Sequence, residues 1–190
     1  MVELLLRTTE QADEPKRLMA RCLNARITCR RWVIGGVTHE KQMLGFEPTD
    51  EEITNTFIDG AEMILGVSFP DAYRKMIRGF SGAHGDVECR VDRPSYGFDT
   101  VGIGLLHSLL PWNPESLYNV LTSWREHELD RRIVPFGEDG GGNYLCFDFR
   151  AFDAPSVVFY FHELPGEDGI MKVCDSFGAF LERLQLPGNA

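Results

Sequence analysis

Apolar residues recur at helical spacing in four segments of the chain. The first follows Thr49-Asp50-Glu51-Glu52, which has the Ser/Thr-x-x-Glu form of a capping box and predicts a helix from Asp50 to Leu65. Gly66 is expected to stop this helix, because glycine readily adopts the left-handed conformation that ends helices. The positions expected to form its buried face are Ile53, Phe57, Ala61 and Ile64.

Three further helices are predicted from the same spacing. Pro70 suits the first turn of a second helix. Asn113-Pro114, an N-cap followed by proline, predicts a third helix, and Ser176 precedes a fourth. The expected core positions are Tyr73, Met76, Ile77 and Phe80 in the second helix, Leu117, Val120, Leu121 and Trp124 in the third, and Phe177, Phe180, Leu181 and Leu184 in the fourth.

Between the third and fourth helices, the pattern changes to the alternation typical of strands. Residues 133–136, 143–149 and 156–162 are rich in Phe, Tyr and Val and are separated by Gly or Pro clusters, so we expect three antiparallel strands. Both faces of the last two runs are fairly apolar, which indicates that both sides of the sheet are covered. Residues 87–110 are expected to add one or two strands, and the first 46 residues a helix after Pro15 and a strand over 26–34.

Charge is unevenly distributed along the 190 residues. The whole chain has 19 basic and 29 acidic residues and a net charge of -10. Residues 1–46 have a net charge of +3, which leaves -13 for residues 47–190. Because nucleic-acid binding depends on basic groups that neutralise phosphates, this balance argues against a nucleic-acid partner and favours a basic protein.

Length and apolar patterning indicate one soluble domain without a membrane segment. The longest purely apolar run covers residues 157–161, far short of the ~20 residues that span a bilayer, and the first residues lack the apolar region of a signal peptide. The five cysteines include no Cys-x-x-Cys pair, which is typical of reduced thiols in the cytoplasm.

The sequences that resemble catalytic motifs are incomplete. Gly137 and Gly142 have the spacing of a phosphate-binding loop, but Asn143-Tyr144 stands where Lys-Ser/Thr is needed. His127-Glu128 and His162-Glu163 each lack the second histidine of a zinc protease. The sequence therefore contains no complete catalytic or metal-binding motif.

The best polar cluster combines carboxylates with an imidazole. Its members are Glu138, Asp139, Asp148, His162 and Glu163. These groups have two interpretations: they bind a divalent metal that activates water, or they make local hydrogen bonds at strand ends and in a turn. We favour the second interpretation, with no bound metal, because the spacing matches no recognised ligand set.

The glycine triplet at residues 140–142 also has two interpretations. Its backbone N–H groups can form an anion-binding nest, or the glycines can let a hairpin close, which turn chemistry favours. Among the tryptophans, Trp124 is expected in the core, whereas Trp32 and Trp112 are expected to be partly exposed and available to anchor a partner.

Five segments resemble the SUKH superfamily, which includes yeast cell-wall-synthesis regulators and many bacterial toxin-immunity proteins. They are 65–74 (LGVSFPDAYR), 79–82 (GFSG), 134–144 (VPFGEDGGGNY), 158–163 (VFYFHE) and 175–177 (DSF), in the order and spacing of that superfamily. The resemblance implies an α+β fold with a mostly antiparallel sheet flanked by helices, over a domain of residues 49–187. Residues 1–48 are expected to be an extension packed on or beside it.

The resemblance further implies a non-enzymatic binding role with no cofactor. We expect an immunity protein that neutralises a basic, nuclease-like toxin, since an acidic inhibitor is drawn electrostatically to a basic surface. The alternatives are a scaffold of the cell-wall-regulator kind and a small metal-dependent hydrolase that uses Asp139, Asp148, His162 and Glu163. The expected partner-binding residues are Glu138, Asp139, Asn143, Asp148, His162 and Glu163.

Overall fold

The computed structural model describes residues 30–34, 37–41, 45–49, 53–95, 97–151 and 154–188. The helix predicted after Pro15 lies outside these residues, as does the first part of the strand predicted over 26–34. The remainder of that segment is β1 (Arg30–Ile34), which pairs antiparallel with β2 (Val37–Lys41) in a two-stranded sheet.

A seven-stranded antiparallel sheet forms the centre of the domain. Its order is β8-β7-β6-β5-β4-β3-β9. The strands are β3 (His84–Ser95), β4 (Phe98–Leu106), β5 (Ile133–Glu138), β6 (Tyr144–Asp148), β7 (Ser156–Tyr160), β8 (Ile170–Cys174) and β9 (Leu184–Gln185). The predicted pairing of β5, β6 and β7 is confirmed, and β3 and β4 fill the region where one or two strands were expected. The sheet curls, so that β3 and β8 lie against each other although four strands separate them in the strand order.

Four α-helices flank the sheet within the described residues. They are α1 (Asn55–Leu65), α2 (Asp71–Phe80), α3 (Leu117–Trp124) and α4 (Phe177–Glu182). Short 3-10 helices follow α3 (Arg125–His127) and precede β8 (Gly166–Gly169). Helices and antiparallel sheet together confirm the predicted α+β class.

Two hydrophobic clusters lie on opposite faces of the sheet. The larger joins residues from α1, α2 and α4 to side chains such as Leu145 and Phe147 of β6. The smaller places Trp124 of α3 against Cys146 and Tyr160, on the other face. Since successive strand residues point to opposite faces, these clusters explain why both faces of β6 and β7 are apolar.

The start of α1 differs from the prediction. The helix begins at Asn55 after Thr54, and not at Asp50 after Thr49. The backbone N–H groups of Thr49 and Ile53 instead donate to the carbonyls of Gly79 and Arg78 at the end of α2. Residues 50–52, which complete the predicted capping box, lie outside the described residues, and Gly66 ends the helix at φ 69° as expected.

The buried face of α1 is also rotated from the predicted one. Ile53 and Ala61 are buried as expected, but Ile64 is 66% exposed, and Ile58, which was not among the predicted positions, is fully buried. Phe57 is half-buried against the core. The helix thus turns its 58/61/65 side towards the sheet and leaves Ile64 on the surface.

Two other predicted helix boundaries are corrected. In α3 the N-cap is Ser116, whose Oγ accepts from the Asn119 N–H, because the Asn113 side chain accepts from the Glu115 N–H and closes a separate turn. Leu184 lies in β9 and not in α4, which ends at Glu182. The Ser176 cap of α4 is confirmed, since its Oγ accepts from the Ala179 N–H.

Candidate functional site

Paired residues from five strands form a row at one end of the sheet. His84 on β3 is opposite Leu105 on β4, which is opposite Glu138 on β5. The row continues from Glu138 to Tyr144 on β6 and then to Tyr160 on β7. Directly opposed residues in antiparallel strands share a face, so this row brings residues that are far apart in sequence to one edge.

A turn held by Asp139 extends this edge. One carboxylate oxygen of Asp139 accepts from the N–H groups of Gly141 and Asn143, each at 2.8 Å, and the other accepts from Asn143 Nδ2 at 2.8 Å. Gly142 adopts φ 84°, which glycine tolerates without strain. The glycine triplet therefore closes a hairpin, in which the Gly141 N–H binds the chain's own carboxylate.

The Asn143 amide joins this turn to the end of β7. Its Nδ2 donates to Asp139, while its Oδ1 accepts from the His162 backbone N–H at 3.2 Å and lies 3.0 Å from His162 Nδ1. A Cβ atom placed on Gly142 would lie 3.5 Å from the His162 ring, so the ring rests on the turn. Glu163, the next residue along the chain, is exposed.

Acidic groups are concentrated at the same edge. Glu138 is partly buried, and this burial raises its pKa, as do the neighbouring carboxylates of Glu115 and Asp139. His84 opposes this effect and lies with Nε2 2.9 Å from Glu115 Oε2. We call this edge the acidic rim and define it as His84, Glu115, Glu138, Asp139, Asn143, His162 and Glu163.

Aromatic side chains support the rim from the smaller cluster. Trp124 contacts both Tyr144 and Tyr160 edge to face, with its ring centroid 5.1 Å from that of Tyr144 and 5.9 Å from that of Tyr160. Trp124 Nε1 donates to the Ile133 carbonyl at 3.1 Å. His127 packs on the same rings, and its pKa is lowered by burial and by the nearby His162.

His107 is buried close to this aromatic group. Its ring centroid lies 6.1 Å from that of Tyr144, and its backbone N–H donates to the Phe136 carbonyl at 3.0 Å. Within the part of the chain that the structure describes, neither ring nitrogen has a hydrogen-bond partner. Burial therefore lowers the pKa of His107 to about 4.

Comparison with known protein families agrees with the resemblance noted in the sequence. Residues 49–183 match the SMI1 / KNR4 family (SUKH-1). The chain belongs to this family. No curated protein matches the chain.

SUKH-1 proteins of this family are generally not enzymes. Among the described residues of this SUKH-1 domain, no group of three or more His, Cys, Asp or Glu side chains is arranged to hold a metal ion. In the same part of the chain, no helix combines the length and apolar character that crossing a membrane requires.

Asp148 does not lie at the acidic rim of the SUKH-1 domain. It is opposite Ile133 and Ser156, at the other end of β6 from Tyr144, which places it about 13 Å along the strand. Arg150 binds its two carboxylate oxygens at 2.9 and 2.8 Å. Although burial raises the pKa of Asp148, these hydrogen bonds outweigh that effect and lower it.

Five of the six predicted site residues therefore lie together, and Asp148 is separate. The set Asp139, Asp148, His162 and Glu163, which the hydrolase alternative needs at one place, is divided between the two ends of β6. The His84–Glu115 pair was not predicted from the sequence. Four histidines, at positions 84, 107, 127 and 162, lie at or near this end of the sheet. No local signal links His84 to Glu115, because 31 positions separate them.

Proposed function

We propose that this SUKH-1 domain is a non-enzymatic binding protein of the cytoplasm that neutralises a toxin with a basic surface. The observation that supports this function is the concentration of carboxylates at the acidic rim. Glu115, Glu138 and Asp139 are close enough for the first and third to raise the pKa of the second. Such neighbours repel one another in the free protein, and a partner's Lys or Arg would relieve that repulsion.

The rim is also rigid enough to serve as a binding surface. Asp139 and Asn143 fix the turn through three hydrogen bonds, and Asn143 fixes His162. A surface whose groups are already in place loses less conformational entropy on association. The proposed interface is therefore preorganised in the free protein.

The charge of the domain favours the same partner. Residues 47–190 have a net charge of -13, and a large negative field speeds the approach of a basic protein. Nuclease toxins bind polyanions and so present basic surfaces to their substrates. An acidic protein seated on that surface would exclude the nucleic acid.

Rescue of bacterial growth tests this function. The chain is co-expressed with a toxic domain encoded beside it, and the wild type is expected to restore growth. The double variant Glu138→Lys/Glu163→Lys should lose protection, because it reverses two charges of the acidic rim. Circular dichroism verifies that the variant is folded. Asp139 is left intact because its carboxylate holds the turn.

A control variant with the same change in net charge separates the effect of the rim residues from the effect of net charge. Asp99→Lys/Glu182→Lys changes two exposed acids, one at the far end of β4 from the rim and one at the end of α4. We expect this variant to protect like the wild type. Full protection by the rim variant would place the interface elsewhere, and a wild type that protects against no neighbouring toxin would favour the scaffold alternative.

A further inference from the structure

A second surface next to the acidic rim is apolar and exposed. Met63, Ile64 and Trp112 have exposed fractions of 83%, 66% and 66%. Trp112 contacts Phe57 edge to face, with ring centroids 5.5 Å apart. We call this surface the apolar patch and define it as Phe57, Gly60, Met63, Ile64 and Trp112.

The helical geometry of α1 makes the patch continuous. Residues advance by about 100° each around a helix, so Gly60 and Ile64 lie on the same side as Phe57, with Met63 beyond them. The acids of α1 point elsewhere, since Asp59 and Glu62 both bind Arg74 of α2. One side of α1 is therefore uncharged and faces solvent.

The loop that presents Trp112 is firmly anchored. The Leu109 N–H donates to Ser81 Oγ at 2.9 Å, and the Leu110 N–H donates to Ser108 Oγ at 3.1 Å. These two serines are buried, and their hydroxyl oxygens lie 3.2 Å apart. Pro111 and Trp112 then form the corner of a turn closed by the Asn113 N–H and the Leu110 carbonyl. Trp112 is thus held at the surface by a fixed backbone.

The patch and the rim are adjacent in the structure. Two consecutive hydrogen-bonded turns cover residues 110–116, with Trp112 in the first and Glu115 in the second. Glu115 pairs with His84 of the rim. On the opposite side of the patch, Asp59 is exposed and precedes Met63 by about one helical turn. The acids of the rim therefore flank the patch on one side, and on the other side Asp59 is paired with Arg74.

We infer that the apolar patch and the acidic rim form one interface, and that its occupant is the basic toxin of the proposed function. The partner would present an apolar cleft bordered by Lys or Arg, with Trp112 inserted in the cleft. Tryptophan is enriched among residues that dominate binding energy, and a solvent-exposed apolar cluster marks an interaction site. This inference rests on the proposed function and adds the apolar patch to the toxin-binding surface.

The experiment measures binding to the neighbouring toxic domain, purified as an inactive variant, together with growth rescue. Trp112→Ala and Met63→Ser/Ile64→Ser are expected to raise the Kd by about 10- to 100-fold and to weaken protection. Leu186→Ser is the matched control, since Leu186 is a 40% exposed leucine beyond β9. Circular dichroism verifies that each variant is folded.

The outcomes separate this inference from the proposed function. Protection and Kd unchanged in the patch variants, with the rim variant impaired, would overturn the inference and leave the proposed function intact. A wild type that neither binds nor protects would overturn both. If the wild type is a dimer that the patch substitutions dissociate, the patch binds a second copy of the chain. If amide protection of α1 disappears when residues 1–29 are deleted, the patch binds the chain's own N-terminal segment. Either result would overturn the inference.

Discussion

At the scale of single residues, His107 makes stability depend on pH. Its pKa falls from 6.5 in the unfolded chain to about 4 in the folded protein. Between these values the unfolded chain binds a proton that the folded protein does not, so stability decreases as pH falls from about 6.5 to 4, by up to about 3 kcal/mol. Well above pH 6.5, where His107 is neutral in both states, this group contributes no pH dependence.

Urea unfolding at pH 8 and pH 5 measures this effect. We expect His107→Leu to lose less stability than the wild type between the two pH values, because leucine carries no titrating group and no unpaired ring nitrogen. Equal pH dependence in both proteins would show that the His107 pKa is not lowered in the folded state.

Asp139 is the second residue whose role is testable alone. Asp139→Ala removes the acceptor of three hydrogen bonds from Gly141 and Asn143, and each such bond contributes about 1 kcal/mol. Hydrogen exchange at the Gly141 and Asn143 amides is expected to accelerate, while the rest of the sheet stays protected. Glu163→Ala, at a neighbouring exposed acid, is the control, and exchange equally slow in both variants would contradict the assigned role.

At the scale of elements, the rotation of α1 gives opposite expectations for two isoleucines. Ile58→Ala empties a fully buried site and should cost about 2–5 kcal/mol. Ile64→Ala removes an exposed side chain and should change stability by only about 0.5 kcal/mol. The free energy of unfolding in urea distinguishes them, and a larger loss for Ile64 than for Ile58 would restore the face expected from the sequence.

Helix capping supplies another comparison between elements. Ser176 Oγ accepts from the Ala179 N–H at 3.2 Å, whereas Thr54 caps α1 without a side-chain hydrogen bond. Ser176→Ala should therefore cost about 1 kcal/mol, and Thr54→Ala clearly less. Thermal unfolding of both variants measures the difference, and equal losses would show that the hydroxyl bond contributes nothing.

At the scale of the whole molecule, the net charge of -10 sets how fast a basic partner approaches. Exposed charges are screened beyond about 10 Å at 0.1 M salt, so the association rate constant should fall as salt rises. From 50 to 500 mM NaCl we expect a decrease of about tenfold or more, with a smaller change in the dissociation rate constant. Stopped-flow measurements with the toxic domain test this, and salt-independent association would exclude electrostatic attraction.

Local patterns in the sequence determined much of the fold. The alternation in β6 and β7, the stop at Gly66 and the serine cap of α4 depend on residues close together in the chain, so their physical cause is present in the sequence itself. The same holds for the hairpin at 140–142, whose closing carboxylate, Asp139, is next to the glycines. These features follow from backbone preferences and short-range hydrogen bonds.

Features that depend on distant residues follow from the three-dimensional fold and are not encoded by local patterns. α1 begins at Asn55, and the N–H groups of Thr49 and Ile53 before it bond to carbonyls at the end of α2. Asp148 is separated from the rim because an extended strand carries its two ends apart. The rim itself forms because antiparallel pairing places Glu138 in one row with residues of four other strands, and no spacing along the chain encodes that pairing.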